Sequence, residues 1–253
     1  MKRVIYILLM LILSLSVNAE NSGLTKQAGD NAYSEERYAD AIEVYEQLIE
    51  TYGGSFDLYY NLGNAYYRDK EIGKAILNYE KALRYAPTDK DAKFNLNIAQ
   101  KMMKDELPET DEVFFIEWFN TFVNMFSITT WAILGMLSFA LMLCFILIYK
   151  FRPAMMHNFS LSLIIIFLVF TLISNLSALY QYNATSDNSE AIVMKEELVL
   201  RSSPDFSGTE LFKVHEGRKV RILDNPVKDW VEVEVDNGKL IVGWVPVDAI
   251  ERI

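Results

Sequence analysis

Hydrophobic and polar positions change rhythm several times along the chain, and each rhythm predicts a different element. Residues 4–17 form an apolar run without charge, directly after Lys2 and Arg3. Two longer uncharged runs follow far downstream, 21 residues at 129–149 and 22 residues at 159–180. At 1.5 Å per residue each reaches about 32 Å as a helix, enough to cross a bilayer. Beyond residue 190 the period shortens to two: Val231, Val233 and Val235 alternate with Glu232 and Glu234. Strands are expected at 191–194, 198–201, 219–223, 230–234 and 243–246, after a polar linker at 182–189. Asp224-Asn225-Pro226 and Asp236-Asn237-Gly238 supply the residues that tight turns demand. A small antiparallel barrel follows from this pattern.

Residues 22–105 repeat themselves instead. At an offset of 34, Gly29 aligns with Gly63, Tyr33 with Tyr67, Ala41 with Ala75 and Tyr45 with Tyr79. Such a period signifies stacked helix pairs. Tyr59, Leu62, Gly63, Tyr66, Ala75, Tyr79, Ala82 and Pro87 resemble the tetratricopeptide-repeat signature in register. Small residues let paired helices approach, tyrosines fill the gap between pairs, and Pro87 ends the second helix. The first copy is degenerate, with Gly53-Gly54 where proline is usual, and residues 89–104 read as a capping first helix. Two repeats and a cap make a domain of marginal extent that leans on a partner.

The resemblance implies an inner groove lined by Lys26, Asp30, Tyr33, Tyr60, Asn64, Tyr67, Phe94, Ile98 and Lys101. Aromatic residues there suit anchoring a peptide or helix, although an ordinary exposed helix face would look the same. Lys26 and Asn61 match part of the carboxylate clamp of some such domains. Asp30 and Asp91 put negative charge where that clamp needs amides or cations, so its ligand is not carried over.

Lys150, Arg152 and Pro153 lie in the short loop 150–158, while the outer flanks are acidic. Cations near span ends favour the cytoplasm, so the loop faces inward and both soluble regions face outward. The N-terminus agrees: Lys2 and Arg3, the short apolar run and Val17-Asn18-Ala19 read as a signal peptide (1–19) cleaved after Ala19. An uncleaved anchor would begin the same way, but the apolar run is short for a span. Within the segment 111–127, Phe114, Phe115, Trp118, Phe119, Phe122, Val123 and Phe126 recur at helical spacing, which suits a membrane surface better than a partner helix. Asn175 stands near the end of the second run, able to bond across helices or reach interfacial water. Neither run holds an ionisable carrier, so transport is a poor reading.

Leu200-Arg201-Ser202-Ser203-Pro204, His215-Glu216-Gly217, Val220, Trp230, Gly238 and Gly243-Trp244-Val245 resemble bacterial SH3 domains across 190–253. Phe206, Phe212, Trp230 and Trp244 are candidates for an aromatic groove, against the alternative that they are core.

Composition then removes function classes. A net charge of −10 argues against nucleic acid. The one cysteine, Cys144, lies in an apolar run, and His157 and His215 fall in different compartments as ordinary surface histidines, so no metal, cofactor or nucleophile pair is expected. The fold class is a multidomain membrane protein: an all-α tetratricopeptide-repeat domain, a two-helix transmembrane hairpin and an all-β SH3-like barrel. In this order the parts resemble the E-type membrane proteins of the Bat aerotolerance operon. That resemblance implies a complex with von Willebrand A-type membrane proteins and a role in oxidative or envelope stress. The leading expectation is a non-enzymatic inner-membrane scaffold that binds envelope proteins in the periplasm. The alternative is a wall sensor or anchor whose SH3 domain contacts peptidoglycan.

Overall fold

Side-chain caps set where the first helices begin. The computed structural model describes residues 24–105, 114–151, 157–186 and 188–253. The expected signal segment 1–19, the acidic stretch 106–113 and residues 152–156 of the loop lie outside them. First come α1 (Lys26–Ser34), α2 (Tyr38–Tyr52), α3 (Phe56–Arg68), α4 (Ile72–Tyr85) and α5 (Lys90–Gln100). The side chains of Thr25, Ser55 and Asp89 cap α1, α3 and α5 by accepting from the backbone N–H three residues on. The turns inside the two helix pairs place Glu36 and Lys70 in the left-handed region, at φ of 60° and 69°. These two positions stand 34 residues apart, as do Ser55 and Asp89, so the period governs caps and turns as well as core. A Cβ on Gly29 would lie 2.5 Å from the Tyr45 ring, and one on Gly63 would lie 2.8 Å from Tyr79. Glycine is required there by close approach of the paired helix.

Next come α6 (Phe114–Val123), α7 (Ile128–Phe151) and α8 (His157–Ser186). The last two are long and apolar enough to cross a membrane, and they pack on each other along small residues. Gly135 faces Ser174 and Asn175. Ser138 Oγ donates to the Phe167 carbonyl at 2.9 Å, and Thr171 Oγ1 lies 3.0 Å from Ser138 Oγ. Asn175 donates back to Thr171 of its own helix at 2.8 Å rather than across the pair.

Residues 182–186, expected as linker, instead continue α8 to Ser186. Their polar groups have local partners: Thr185 Oγ1 donates to the Gln181 carbonyl at 2.8 Å. Gln181 is buried, and its Nε2 donates to the carbonyls of Val123 (2.5 Å) and Phe126 (2.8 Å). Trp131 Nε1 donates to Val123 as well, at 2.7 Å. The carbonyl of Val123, the last residue of α6, and that of Phe126 in the following turn are satisfied in this way, which ties the end of α6 to the start of α7 and the end of α8.

The chain closes with β1 (Glu190–Val193), β2 (Glu197–Arg201), β3 (Glu210–His215), β4 (Lys219–Val227), β5 (Trp230–Asp236), β6 (Leu240–Pro246) and β7 (Ile250–Arg252). They pair antiparallel in the order β3-β2-β6-β5-β4-β1-β7 around Val193, Leu200, Val214, Val233, Val235 and Val245. The turn at 236–238 forms as expected: Gly238 has φ of 75° and donates its N–H to Asp236 Oδ1 at 3.0 Å. The turn expected at 224–226 does not. A register shift between Leu223 and Val227 absorbs those residues inside β4, and the chain reverses at Lys228, φ 56°, so that Val227 pairs with Trp230.

The repeat domain and the barrel are docked on each other. Ile192 of β1 and Ile253 lie within the buried cluster of the repeats, with Met103 and Met194 against it. A Cβ on Gly217 would lie 2.7 Å from Ile76 of α4. The short repeat domain thus shares its buried cluster with the barrel of the same chain.

Candidate functional site

Helix pairing brings the polar residues of α1, α3 and α5 into a ladder on the concave side. Tyr45 OH donates to Asp30 Oδ1 at 2.8 Å, and Asn61 Nδ2 donates to the same atom at 3.2 Å. One repeat later Tyr79 OH donates to Asn64 Oδ1 at 2.8 Å, and Asn95 Nδ2 does so at 2.9 Å. The six positions are related in pairs by 34 residues: Asp30 with Asn64, Tyr45 with Tyr79, Asn61 with Asn95. Ile98, next in the series after Asn64, has no oxygen in its side chain, and the ladder ends there. Lys26 Nζ completes the first rung, 2.8 Å from Asp30 Oδ2. Burial pushes the Asp30 carboxyl up, but the bonds from Lys26, Tyr45 and Asn61 outweigh it and hold the group below its ordinary value. Burial raises the phenols of Tyr45 and Tyr79 well above theirs, so both remain donors.

In front of the first rung opens a cleft of about 260 Å³, lined by Lys26, Asp30, Tyr33, Tyr45, Asn61 and Asn64. Four of the expected groove residues, Lys26, Asp30, Tyr33 and Asn64, therefore meet in one place. Tyr60, on α3 with Asn61 and Asn64, lies at the second rung instead, stacked on Phe56 at 5.6 Å and accepting from Asn95 at 3.1 Å. Tyr67 is half-buried against the core, Phe94 is exposed on α5, and Lys101 ends that helix. Asn61 and Asn95 were not among the expected groove residues; their 34-residue spacing was the available signal. Tyr66, beside Tyr67, faces away and is buried, with its hydroxyl on Glu46.

On the barrel, Phe206 and Trp230 come together, ring centroids 5.0 Å apart and edge to face. Trp230 is buried, whereas Phe206 is 76% exposed on the loop between β2 and β3. Arg201 Nη1 holds that loop through the carbonyls of Phe206 (3.1 Å) and Gly208 (2.9 Å). Phe212 packs half-buried on the barrel core, and Trp244 is half-buried across from Glu232 and Arg201. The four aromatic candidates therefore divide into one touching pair, of which Phe206 is the exposed member, and two separate residues.

The docked face uses other groups. Lys219 Nζ lies 3.2 Å from Glu80 and 2.7 Å from Glu190, and Lys81 Nζ lies 2.8 Å from Glu251. Burial pushes the Glu80 carboxyl up, with Lys219 opposing and Glu190 adding. His215, expected as a surface residue, is only 17% exposed in its side chain, with Nδ1 2.6 Å from Asp105 Oδ1. Its backbone N–H donates to the other oxygen of Asp105 at 2.8 Å. Among the described residues no group of three His, Cys, Asp or Glu side chains is placed to hold a metal.

The described chain thus joins a helical repeat domain, two helices long and apolar enough to cross a membrane, and an antiparallel sheet consistent with an SH3-like domain. Residues 56–89, which are α3, α4 and the following turn, match the tetratricopeptide repeat model. Residues 196–251 match the bacterial SH3 domain model. No curated protein matches the chain.

Proposed function

We propose that the chain is a non-enzymatic inner-membrane adaptor that presents the repeat cleft and the SH3 domain to the periplasm. By resemblance its setting is an aerotolerance or envelope-stress complex, with von Willebrand A-type membrane proteins as partners. The observation that carries the reading is the open cleft at Lys26, Tyr33, Asn61 and Asn64, formed by α1, α2 and α3, while the barrel packs elsewhere, against Ile76 of α4. Amides and a lysine–aspartate pair beside a tyrosine suit an extended peptide, whose backbone offers donors and acceptors in alternation. Support for the surface reading of α6 comes from exposed Phe115, Trp118 and Phe119, held beside the hairpin by Gln181 and Trp131.

The test uses the full chain in detergent as bait for envelope proteins. Tyr33→Ala should weaken capture by about 1–2 kcal/mol, as truncation of an aromatic anchor does, with helicity unchanged. Tyr66→Ala should instead lower stability, because it empties a packed position. Undiminished capture by a folded Lys26/Tyr33 double alanine variant would remove the cleft as the partner site. A second reading, contact with peptidoglycan, is favoured by the exposed Phe206 on Trp230. Sedimentation of the full chain with purified wall, lost in Phe206→Ala, would support it.

A further inference from the structure

One side of α8, bare of α7 and lined by exposed Leu168, Leu172 and Leu179, carries a carboxamide in their midst. Asn175 stands three residues after Leu172 and four before Leu179, so the three share a helix face, and its side chain is exposed. Its Nδ2 spends one N–H on the Thr171 carbonyl of its own helix, at 2.8 Å. Opposite stands Gly135 of α7, where an added Cβ would lie 2.9 Å from that same Nδ2. Nearby hydroxyls are already matched: Thr171 Oγ1 donates to the Phe167 carbonyl at 2.7 Å, and Ser138 Oγ donates to the same carbonyl at 2.9 Å. Asn175 Oδ1 and the second N–H of the amide have no partner among the described residues.

Depth makes that incomplete pairing costly. Trp131 Nε1 donates to the Val123 carbonyl and Tyr180 OH donates to Asn120 Oδ1 at 3.1 Å, so both rings tie the hairpin to α6 at one level. Such rings collect at the headgroups. Asn175 lies five residues before Tyr180 and Gly135 four after Trp131, which is about 6–8 Å deeper along a helix. In hydrocarbon an amide is satisfied only by another polar group of protein. A carboxamide carries donor and acceptor together, so two copies of Asn175 answer each other across a two-fold axis, and self-complementarity is what an isologous contact requires. We propose that the Asn175 face of α8 packs against the same face of a second copy of the chain, amide to amide, with the axis along the membrane normal. The proposal rests on the membrane reading of α7 and α8.

The full chain, labelled with donor and acceptor dyes, would be reconstituted in liposomes, and energy transfer followed as lipid dilutes the protein. Wild type should associate as dimers, Asn175→Leu should weaken association at least tenfold, and Asn175→Gln should restore part of it. Side-chain size is nearly kept in Asn175→Leu, and an unchanged thermal midpoint would show that the hairpin is intact. As a readout independent of that variant, single cysteines in a Cys144→Ser background would be oxidised in native membranes. Leu172→Cys and Leu179→Cys should form disulfide-linked dimers, whereas Val169→Cys and Ile173→Cys, on the other flank of α8, should not. A monomeric wild type in liposomes, undiminished association of Asn175→Leu, or cross-linking at Val169 and Ile173 in place of Leu172 and Leu179 overturns the proposal. So does cross-linking of Leu172→Cys to a different protein, which would give this face to a partner's transmembrane helix. Release of the chain from membranes by alkaline carbonate would refute the membrane reading and the dimer with it, whereas a retained monomer would refute the dimer alone.

Discussion

Lys70 carries a side chain in a conformation that favours glycine, φ 69°, at the turn between α3 and α4. The left-handed region costs an L-residue about 1–2 kcal/mol, partly offset by the extra chain entropy that glycine loses. Lys70→Gly should therefore stabilise the repeat domain by about 0.5–1 kcal/mol, read as a raised thermal midpoint. A lowered midpoint would mean that the lysine side chain itself contributes more than its backbone costs. At this scale the sequence was readable where size alone decides. Gly63 and Ala75 had to be small, and Tyr79 had to fill space, because no larger or smaller side chain suits a close helix pair. The amide ladder was less readable, since whether Asn61 and Asn95 face solvent or Asp30 and Asn64 depends on the neighbouring repeat. Asp30 illustrates the difference: read as a groove charge, it is also a structural acceptor for three donors.

Elements with strong periodicity appeared where expected, and those lacking it did not. Lys219 to Ile222 and Val231 to Glu234 alternate cleanly, and both lie in observed strands. β3 and β7 were missed because β3 has one fully buried residue and β7 is three residues long, so neither alternates enough to announce itself. The segment at 224–226 has turn chemistry yet is carried within β4, because the partner strand β5 fixes the register on either side of it. In the repeat region Gly63→Leu places a side chain into the Tyr79 ring, and overpacking of this kind costs about 1–3 kcal/mol. The effect should travel. Ile192 and Ile253 are covered by the repeats, so hydrogen exchange in the mutant should quicken in α3 and α4 and also in β1, while β5 and β6 keep their protection. Unchanged exchange in β1 would mean that docking contributes nothing to the barrel's stability.

For the whole molecule, no sequence pattern announced that two separately recognisable domains share one buried cluster, because the contacts join residues more than a hundred positions apart. Glu80 with Lys219 and Asp105 with His215 are such pairs. Lys219→Glu would leave Glu80 facing a like charge, at a cost between the roughly 1 kcal/mol of exposed pairs and the about 3–5 kcal/mol of buried ones. Fast exchange across β1 and α4 together is the expected sign of undocking. Docking also constrains topology, since domains in contact lie on one side of whatever the hairpin crosses, as an even number of spans between them requires. Lys150 at the far end of α7 then argues that this side is the outer one. In a Cys144→Ser background, cysteines at the exposed positions Thr51 on the repeats and Asp236 on the barrel should both react with an impermeant maleimide in intact spheroplasts. Labelling of both only after lysis would invert the topology. Labelling of one without the other would break the docked arrangement, because a single bilayer cannot separate two surfaces that share Ile192 and Ile76 in one core.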